Sequence, residues 1–482
     1  MTSQDDSKNA GVNSLVENPQ ETGVSETSEG SDTSGTFEAR IENAQDCSES
    51  AQKNGLSHPL NLSSSPCSTG TFESSEARPL VIILHASVGS GHRSAAQAVA
   101  QAMETLRGQH ENLPANTEIA VLDILDFGGV RFSGEKTASI FTGVLSPVYD
   151  ITWHHIFTGR ILWGGAWGWS PAMYWKFTRL VKQRKPIAII ATHIVAANCA
   201  VAARMSTGQT FPVACVPTDY GVEGLWPHLY ADLFCAADDF MIKELLPRRV
   251  PREKIAVTGI PVRAGFEDDH DVVAIRDRFG LPQDKKIVLV MAGAKYSEPY
   301  LPFRRIIEPA FGELSNLIDM HFAFLAGEDV EYATYLKQTF KERGIENVSV
   351  FNYVEDMVDL MSASDLIVAK SGGLAVTECV CARLPILLVG KSYGQERANT
   401  YTVTRVGAAL KAETTKEFIR QIKRIHQKPY ILDLMKEKGK TIRRPNSAFD
   451  VAVATLDLVG TIEPLKKPFL KIYIGGKPVH VR

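Results

Sequence analysis

The sequence predicts an α/β fold with two separate parallel β-sheets. From residue 79 onward, short apolar runs alternate with longer segments of helical period, the pattern of buried parallel strands joined by crossover helices. The alternation stops at residues 261–271, where a proline and an Asp-Asp-His-Asp run interrupt it, and then resumes. Eleven strands in one open sheet would be unusual, so two sheets are the more natural arrangement.

The predicted strands form two series, one on each side of the interruption. The first series covers residues 80–84, 119–124, 187–192, 211–218, 233–237 and 255–262. The second covers residues 287–293, 321–327, 348–354, 366–372 and 385–390. We therefore place a first domain at 78–265 and a second at 266–445, followed by a C-terminal helix and basic tail over 446–482.

The first 77 residues differ in composition from the rest of the chain. They contain 13 acidic, three basic and two aromatic residues, whereas the remainder carries a net charge of +7. Such a segment cannot bury enough apolar surface to offset the entropy of ordering, so residues 1–77 are predicted to be a disordered acidic tail. They lack the apolar stretch of a secretory signal, and no run of about 18 apolar residues predicts a membrane span.

The seven scattered cysteines indicate a reducing compartment. Cys199, Cys215, Cys235 and Cys379 lie in apolar surroundings, as buried free thiols usually do. Cys379 forms a C-x-C with Cys381, but no second ligand pair lies nearby, so a zinc site is not expected. We expect a cytoplasmic protein with no nucleic-acid partner, and the sequence leaves its oligomeric state open.

Residues 127–186 depart from the alternation of strands and helices. Twelve of these sixty residues are aromatic, eight are basic and two are acidic. Trp and Tyr favour the membrane interface and basic side chains favour anionic headgroups, so we predict a surface that faces a membrane. The alternative is that the rings form the core of a helical insertion. The tryptophans assigned to the predicted surface are Trp153, Trp163, Trp167 and Trp169.

The first candidate site follows the first predicted strand. The sequence Gly-Ser-Gly-His-Arg, residues 89–93, leads from that strand into a helical segment. Backbone N–H groups and the positive end of a helix meet at such a turn, where ligands of open α/β folds bind. The spacing fits neither a dinucleotide fingerprint nor a P-loop. His92 is therefore either a residue of a helix start or a general base that takes a proton from a hydroxyl group.

Two polar turns follow the last two predicted strands. Ser-Gly-Gly at 371–373 would let a diphosphate approach a helix N terminus, and Glu378, one turn further, could accept hydrogen bonds from ribose hydroxyls. Gly-Gln-Glu at 394–396, followed by Asn399, could bind sugar hydroxyls at the same sheet edge. The spacing between these turns makes the pair more specific than either one alone.

Two further positions follow strands of the first series. The loop at 217–226 offers Asp219 and Glu223, which could orient a general base or hold acceptor hydroxyls. The alternative assigns turn chemistry to Asp219 and core packing to Trp226. His193 ends another predicted strand, where a buried, hydrogen-bonded histidine is the default interpretation.

Taken in order, these motifs resemble the monogalactosyldiacylglycerol synthases and the bacterial processive diacylglycerol glucosyltransferases. GSGHRSAAQA, PTDY…W, VTGIPVRAGF, LVMAGA, KSGG-x₄-E and GQERAN follow one another over about residues 80–412. The resemblance implies a GT-B fold, in which two Rossmann-like domains face each other. The lipid acceptor would lie on the N-terminal domain and the UDP-sugar on the C-terminal one.

The resemblance also implies a reaction. A hexose from UDP-glucose or UDP-galactose would pass to diacylglycerol with inversion, without a cofactor or catalytic metal ion. The enzyme would lie on anionic phospholipid at the inner face of the cell membrane. His92 would be the base, with Asp219 also in the catalytic site and His193 and Glu223 on the acceptor side. The implied donor-site residues are Gly91, Gly293, Ser371, Gly372, Gly373, Glu378, Gln395, Glu396 and Asn399.

Glu223 stands where relatives have a histidine, and this leaves the acceptor open. One alternative is a UDP-sugar-dependent glycosyltransferase that acts on another hydrophobic lipid. Another is a non-catalytic relative that binds nucleotide-sugar or membrane. The joint presence of His92, Glu378 and Glu396 favours an enzyme.

Overall fold

The computed structural model describes residues 78–88, 90–128, 173–222, 226–227, 229–294, 298–463, 470–474 and 477–481. The predictions for residues 1–77, for Trp153, Trp163, Trp167 and Trp169, and for Glu223 lie outside these ranges. Within them, no helix is long and apolar enough to cross a membrane.

Six parallel strands form the first sheet, in the order β2-β1-β3-β4-β5-β6. They are β1 (Leu80–His85), β2 (Glu118–Asp123), β3 (Ala188–Ala191), β4 (Val213–Cys215), β5 (Leu233–Ala236) and β6 (Ile255–Val257). The helices described between them are α1 (Ser90–Leu106), α2 (Trp175–Arg184), α3 (Ile194–Thr207) and α4 (Asp239–Leu245).

The second sheet also has six parallel strands, in the order β12-β11-β10-β7-β8-β9. They are β7 (Lys286–Met291), β8 (Met320–Leu325), β9 (Val348–Phe351), β10 (Leu366–Ala369), β11 (Ile386–Val389) and β12 (Ala409–Ala412). The helices of this part are α5 (Val272–Phe279), α6 (Leu301–Ile307), α7 (Phe311–Leu314), α8 (Val330–Glu342), α9 (Met357–Ser362), α10 (Gly373–Cys381), α11 (Gln395–Val406), α12 (Thr415–Gln427) and α13 (Tyr430–Gly439).

The chain returns to the first sheet after completing the second. Helix α14 (Ser447–Leu456) packs against α1, and Val451 joins Ile83 and Val99 in one core layer. On the opposite face of β1, Ile82 packs in the layer that contains Phe177 of α2. Both faces of the strand are therefore buried, which explains why its sequence is a continuous apolar run rather than an alternating one.

The predicted fold class is confirmed, because each predicted run contains a strand of one of two separate parallel sheets. Strand β12 was missed: it is a four-residue edge strand, and its Lys411 pairs with Glu413 instead of packing in the core. An antiparallel hairpin, β13 (Leu470–Ile474) and β14 (Lys477–Val481), was also not expected within the C-terminal tail.

Each sheet has one point where the strand order reverses. In the first sheet it lies between β1 and β3, and in the second between β7 and β10. Ligands of open α/β sheets bind in the crevice outside the carboxyl ends of the strands at such a point. His92 and His193 follow β1 and β3, whereas Gly293 and Ser371 follow β7 and β10. Most of the candidate residues thus lie at, or next to, the two predicted crevices.

Candidate active site

The carboxyl edges of the two sheets lie against each other. The loop after β4 contacts the start of α10, so closely that a Cβ atom on Gly373 would lie 2.1 Å from the Thr218 carbonyl oxygen. A Cβ atom on Gly91 of α1 would lie 3.6 Å from the Leu374 side chain. Only glycine fits at 373 with this approach, and the candidate residues of both halves form a single site.

Two threonines hold the His92 ring. Its Nδ1 lies 2.9 Å from the Thr192 carbonyl oxygen and 2.9 Å from the Thr218 hydroxyl. Since a carbonyl oxygen can only accept, Nδ1 must carry the proton, and the lone pair is on Nε2. The Thr192 hydroxyl also donates to the His92 carbonyl oxygen at 2.9 Å. The ring is therefore fixed in the tautomer that a general base requires.

His92 is also held in its neutral form. Burial lowers the pKa of His92 to about 4, although the hydrogen bond to the Thr192 carbonyl opposes this shift. The His193 ring lies edge-on to it, with ring centroids 4.6 Å apart, and burial lowers the pKa of His193 well below its ordinary value. Both imidazoles are therefore neutral at pH 7, although each keeps part of its surface exposed.

Asp219 and Asn399 join the two halves of the molecule. The Asn399 amide donates to Asp219 Oδ1 at 2.7 Å and to the Ser371 carbonyl at 3.0 Å, and its oxygen accepts the Tyr220 N–H at 2.8 Å. Asp219 also accepts the Gly373 N–H, and burial raises the pKa of its carboxyl to about 6. In this structure the partners of Asp219 lie at the contact between the sheets, while the threonines orient the base.

The start of α10 combines two features of an anion site. The helix begins at Gly373, whose N–H is bonded to Asp219, and Gly372 before it is partly exposed; a negative charge is favoured at such a helix N terminus. Glu378 lies further along the same helix, buried, with Arg263 Nε 3.4 Å from its carboxylate. Burial raises the pKa of Glu378 and the Arg263 guanidinium opposes that shift, which favours the charged form that accepts hydrogen bonds.

A second polar cluster surrounds Glu396 at the start of α11. Lys370 Nζ lies 3.6 Å from one carboxylate oxygen, and the Ser371 hydroxyl lies 3.4 Å from the other. Gly394 precedes the helix with φ 50°, a conformation that favours glycine and places Gln395 in the first turn. Gln395 and Glu396 are both partly exposed. The cluster can therefore offer amide and carboxylate groups to hydroxyl groups of a ligand.

Several positions have plainly structural contacts. Trp226 is buried and packs edge-on against Phe234, which agrees with the core alternative for this residue. Gly293 is buried against the backbone of Ala326. The described cysteines are buried and free, and in the described part of the chain no group of three or more His, Cys, Asp or Glu side chains is placed to hold a metal ion.

The family models match the chain in two consecutive segments. A model described as monogalactosyldiacylglycerol (MGDG) synthase matches residues 92–262, and one described as the glycosyltransferase family 28 C-terminal domain matches residues 287–450. The boundary between them falls between the two sheets, and the matched segments contain His92, Glu378 and Glu396. The chain is a glycosyltransferase that joins a monogalactosyldiacylglycerol synthase segment to a glycosyltransferase family 28 C-terminal domain.

Curated relatives of this glycosyltransferase extend over most of its length. The processive diacylglycerol beta-glucosyltransferase of Bacillus cereus (strain AH187) is 26% identical over 414 residues, which cover 81% of this chain and 98% of that protein. The enzyme of the same name from Bacillus cytotoxicus is 25% identical over 397 residues, covering 79% of this chain and 94% of that protein. The similarity therefore includes both halves of the site.

Solved structures support the GT-B architecture of this glycosyltransferase. MurG of Acinetobacter baumannii superposes with a TM-score of 0.51 at 17% identity, covering 80% of this chain and all of that one. MnaA of S. aureus, in a UDP co-structure, gives a TM-score of 0.51 at 13% identity, covering 77% of this chain and 94% of that one. At this identity the likeness concerns the fold alone.

The sequence interpretation missed four residues of this site. Thr192 and Thr218, which orient His92, occupy the last positions of two predicted strands, where a side chain reaches the carboxyl edge of a parallel sheet. Arg263 and Lys370, which pair with Glu378 and Glu396, lie inside motifs that carried the resemblance. The position of each threonine at the end of a predicted strand could have indicated that it lies at the site. The two ion pairs join residues that are distant in the sequence, so only the folded structure reveals them.

Proposed function

We propose that this glycosyltransferase moves a hexose from a UDP-sugar to the hydroxyl group of diacylglycerol, with inversion at the anomeric carbon. The observation that carries the proposal is the arrangement of His92. Its Nε2 lone pair is fixed at the switch point of the first sheet, next to the part of the second sheet that offers a helix N terminus for a diphosphate. The names of the curated relatives supply the acceptor class.

The reaction balances with these groups alone. The acceptor O–H bond breaks and its proton passes to His92 Nε2, while the oxygen forms a bond to the anomeric carbon. On the opposite face of that carbon, the bond to the diphosphate oxygen breaks, and the electron pair leaves with UDP. The N–H groups at the start of α10 would stabilise the charge that develops on this leaving group.

The remaining donor-site residues have separate tasks in this proposal. Glu378, held by Arg263, would accept hydrogen bonds from the ribose hydroxyls. Gln395 and Glu396 would bind the hydroxyls of the transferred sugar, and the closing of the sheet edges would exclude water and align the two substrates. We propose that no metal ion takes part, so transfer should persist in the presence of EDTA.

One described helix offers a membrane-facing surface. Phe177 and Val181 bury the inner face of α2, whereas Trp175, Lys176, Arg179 and Lys182 are exposed on its outer face. A basic face with an aromatic residue favours an anionic lipid surface. We propose that the protein binds the membrane peripherally through this helix, and that high salt weakens the binding by screening the charges.

Vesicle sedimentation would test the membrane contact. The double variant Lys176→Glu, Arg179→Glu should bind vesicles containing anionic phospholipid at least about tenfold more weakly, since each basic residue near such a surface contributes about 1 kcal/mol. The control is Lys337→Glu, Lys341→Glu, which makes the same charge change on the exposed face of α8. Equal losses in both double variants would point to net charge rather than to α2.

A lipid assay tests the substrate assignment. The purified chain is incubated with UDP-glucose or UDP-galactose and with vesicles of anionic phospholipid and diacylglycerol, and the lipid products are identified by mass spectrometry. A hexosyl-diacylglycerol from one donor would support the acceptor and identify the sugar. UDP binding without any lipid product would overturn the diacylglycerol assignment and leave the fold and family unchanged.

A further inference from the structure

His193 has a hydrogen-bond pattern opposite to that of His92. It immediately precedes α3, and its Nδ1 accepts the N–H of Val195 at 3.2 Å. Because a backbone N–H can only donate, Nδ1 must be unprotonated, and the neutral ring carries its proton on Nε2. His193 therefore presents an N–H donor, whereas His92 presents a lone pair on Nε2.

The two rings form a complementary pair at one switch point. They meet edge to face, with an interplanar angle of 85°. Across the described ranges, no protein group is hydrogen-bonded to either Nε2, and neither atom is buried without a partner. Both atoms are therefore open to a ligand, one as an acceptor and the other as a donor.

The chemistry of the reaction restricts which oxygen of the acceptor lipid the His193 Nε2–H can bind. A hydrogen bond donated to the attacking hydroxyl oxygen would occupy a lone pair and lower its nucleophilicity. A hydrogen bond to a second oxygen of the acceptor would instead hold the molecule with its hydroxyl at His92. In diacylglycerol, the carbonyl oxygen of the ester on the neighbouring carbon is such an oxygen.

We infer that His193 is a positioning residue, whose Nε2–H binds the ester carbonyl of the acceptor while His92 takes the proton of the hydroxyl. This inference rests on the proposed function and adds a specificity to it. An ether-linked dialkylglycerol has the same hydroxyl but no carbonyl, so it leaves the His193 N–H without its partner. The enzyme therefore selects ester-linked over ether-linked glycerol lipids.

Two substitutions separate this role from the helix cap. His193→Asn keeps a side-chain acceptor for the Val195 N–H, since asparagine is a preferred N-cap residue, but it removes the distal donor. His193→Gln places an amide N–H at about the reach of Nε2. The measurement is kcat/KM for 1,2-diacylglycerol and for a chain-matched 1,2-dialkylglycerol in the same vesicles, with the KM for the UDP-sugar and the thermal unfolding midpoint as further readouts.

The expected pattern is selective for the ester lipid. The wild-type enzyme should prefer it about tenfold, as one hydrogen bond accounts for. His193→Asn should lose that preference because its kcat/KM falls for the ester lipid alone, while the KM for the UDP-sugar and the unfolding midpoint stay unchanged. His193→Gln should recover part of the preference. Equal losses on both lipids, or no preference in the wild type, would overturn the inference alone. No product from either lipid would overturn the proposed function and the inference with it.

Discussion

Replacing Asp219 by asparagine should remove a pH-dependent loss of stability. The Asp219 carboxylate lies between the sheets, where Oδ1 accepts from the Asn399 amide and the Gly373 N–H donates to the same carboxylate. Asparagine retains an oxygen for these donors, and it replaces the other carboxylate oxygen by an N–H₂ group. The substitution therefore removes the charge and keeps most of the contact.

The sign follows from the pKa of this carboxyl. Burial, helped by the nearby charge of Glu396, raises it from 3.8 to about 6. The folded protein then holds the proton more tightly than the unfolded chain, so stability is lost as pH rises from about 4 through 6. That difference corresponds to at most about 3 kcal/mol, and we expect about 1–2 kcal/mol because the side chain keeps some solvent contact.

Urea unfolding at pH 5 and pH 8 measures the effect. Roughly half of this loss falls between pH 5 and pH 8, so over that interval the free energy of unfolding of Asp219→Asn should rise by about 0.5–1 kcal/mol relative to that of the wild type. Histidines with lowered pKa also change stability over this range, but they contribute equally to both proteins. Asp284→Asn, at an exposed aspartate, is the control and should gain nothing. If the free energies of unfolding of Asp219→Asn and the wild type differ by the same amount at pH 5 and at pH 8, burial does not raise the pKa of this carboxyl.

Three further substitutions test separate contacts. Arg263→Ala should raise the KM for the UDP-sugar about tenfold with little change in kcat, because Glu378 loses the charged partner that orients it; an unchanged KM in steady-state kinetics would contradict this. Thr218→Val should lower kcat by about tenfold or less, since the Thr192 carbonyl still holds the tautomer, and a total loss would show that the hydroxyl does more. Arg204→Met should lower the free energy of unfolding by about 3 kcal/mol or more, measured by chemical unfolding, because Asp232 loses its buried cation. An unchanged free energy of unfolding would contradict this.

Much of the fold was predictable because buried parallel strands have a distinctive sequence. Runs such as residues 80–84 and 366–369 are apolar throughout, which is typical of strands with both faces covered. The predicted runs extend beyond the strands at their carboxyl ends, as at 211–218, where the strand ends at Cys215. The extra residues at the carboxyl end of each run lie at the crevice. A predicted run that is longer than its strand therefore indicates residues of the site.

The contacts between the sheets could not be predicted from the motifs. Asn399 was expected beside the transferred sugar, but its amide is fully buried and bonded to both halves of the protein. Asp219 likewise bonds to the second sheet rather than to the base. A pattern of residue types indicates which side chains can bind a sugar, but only the packing of the two sheets decides which of them are left free to do so.

Transfer by a variant of His92 is the most direct test of the account. His92→Ala should lose nearly all formation of hexosyl-lipid, while its binding of UDP, measured by calorimetry, stays the same. His110→Ala, beyond the other end of α1, is the matched control and should retain activity. Continued transfer by His92→Ala at the wild-type rate would contradict the assignment of the base and, with it, the mechanism proposed for this site.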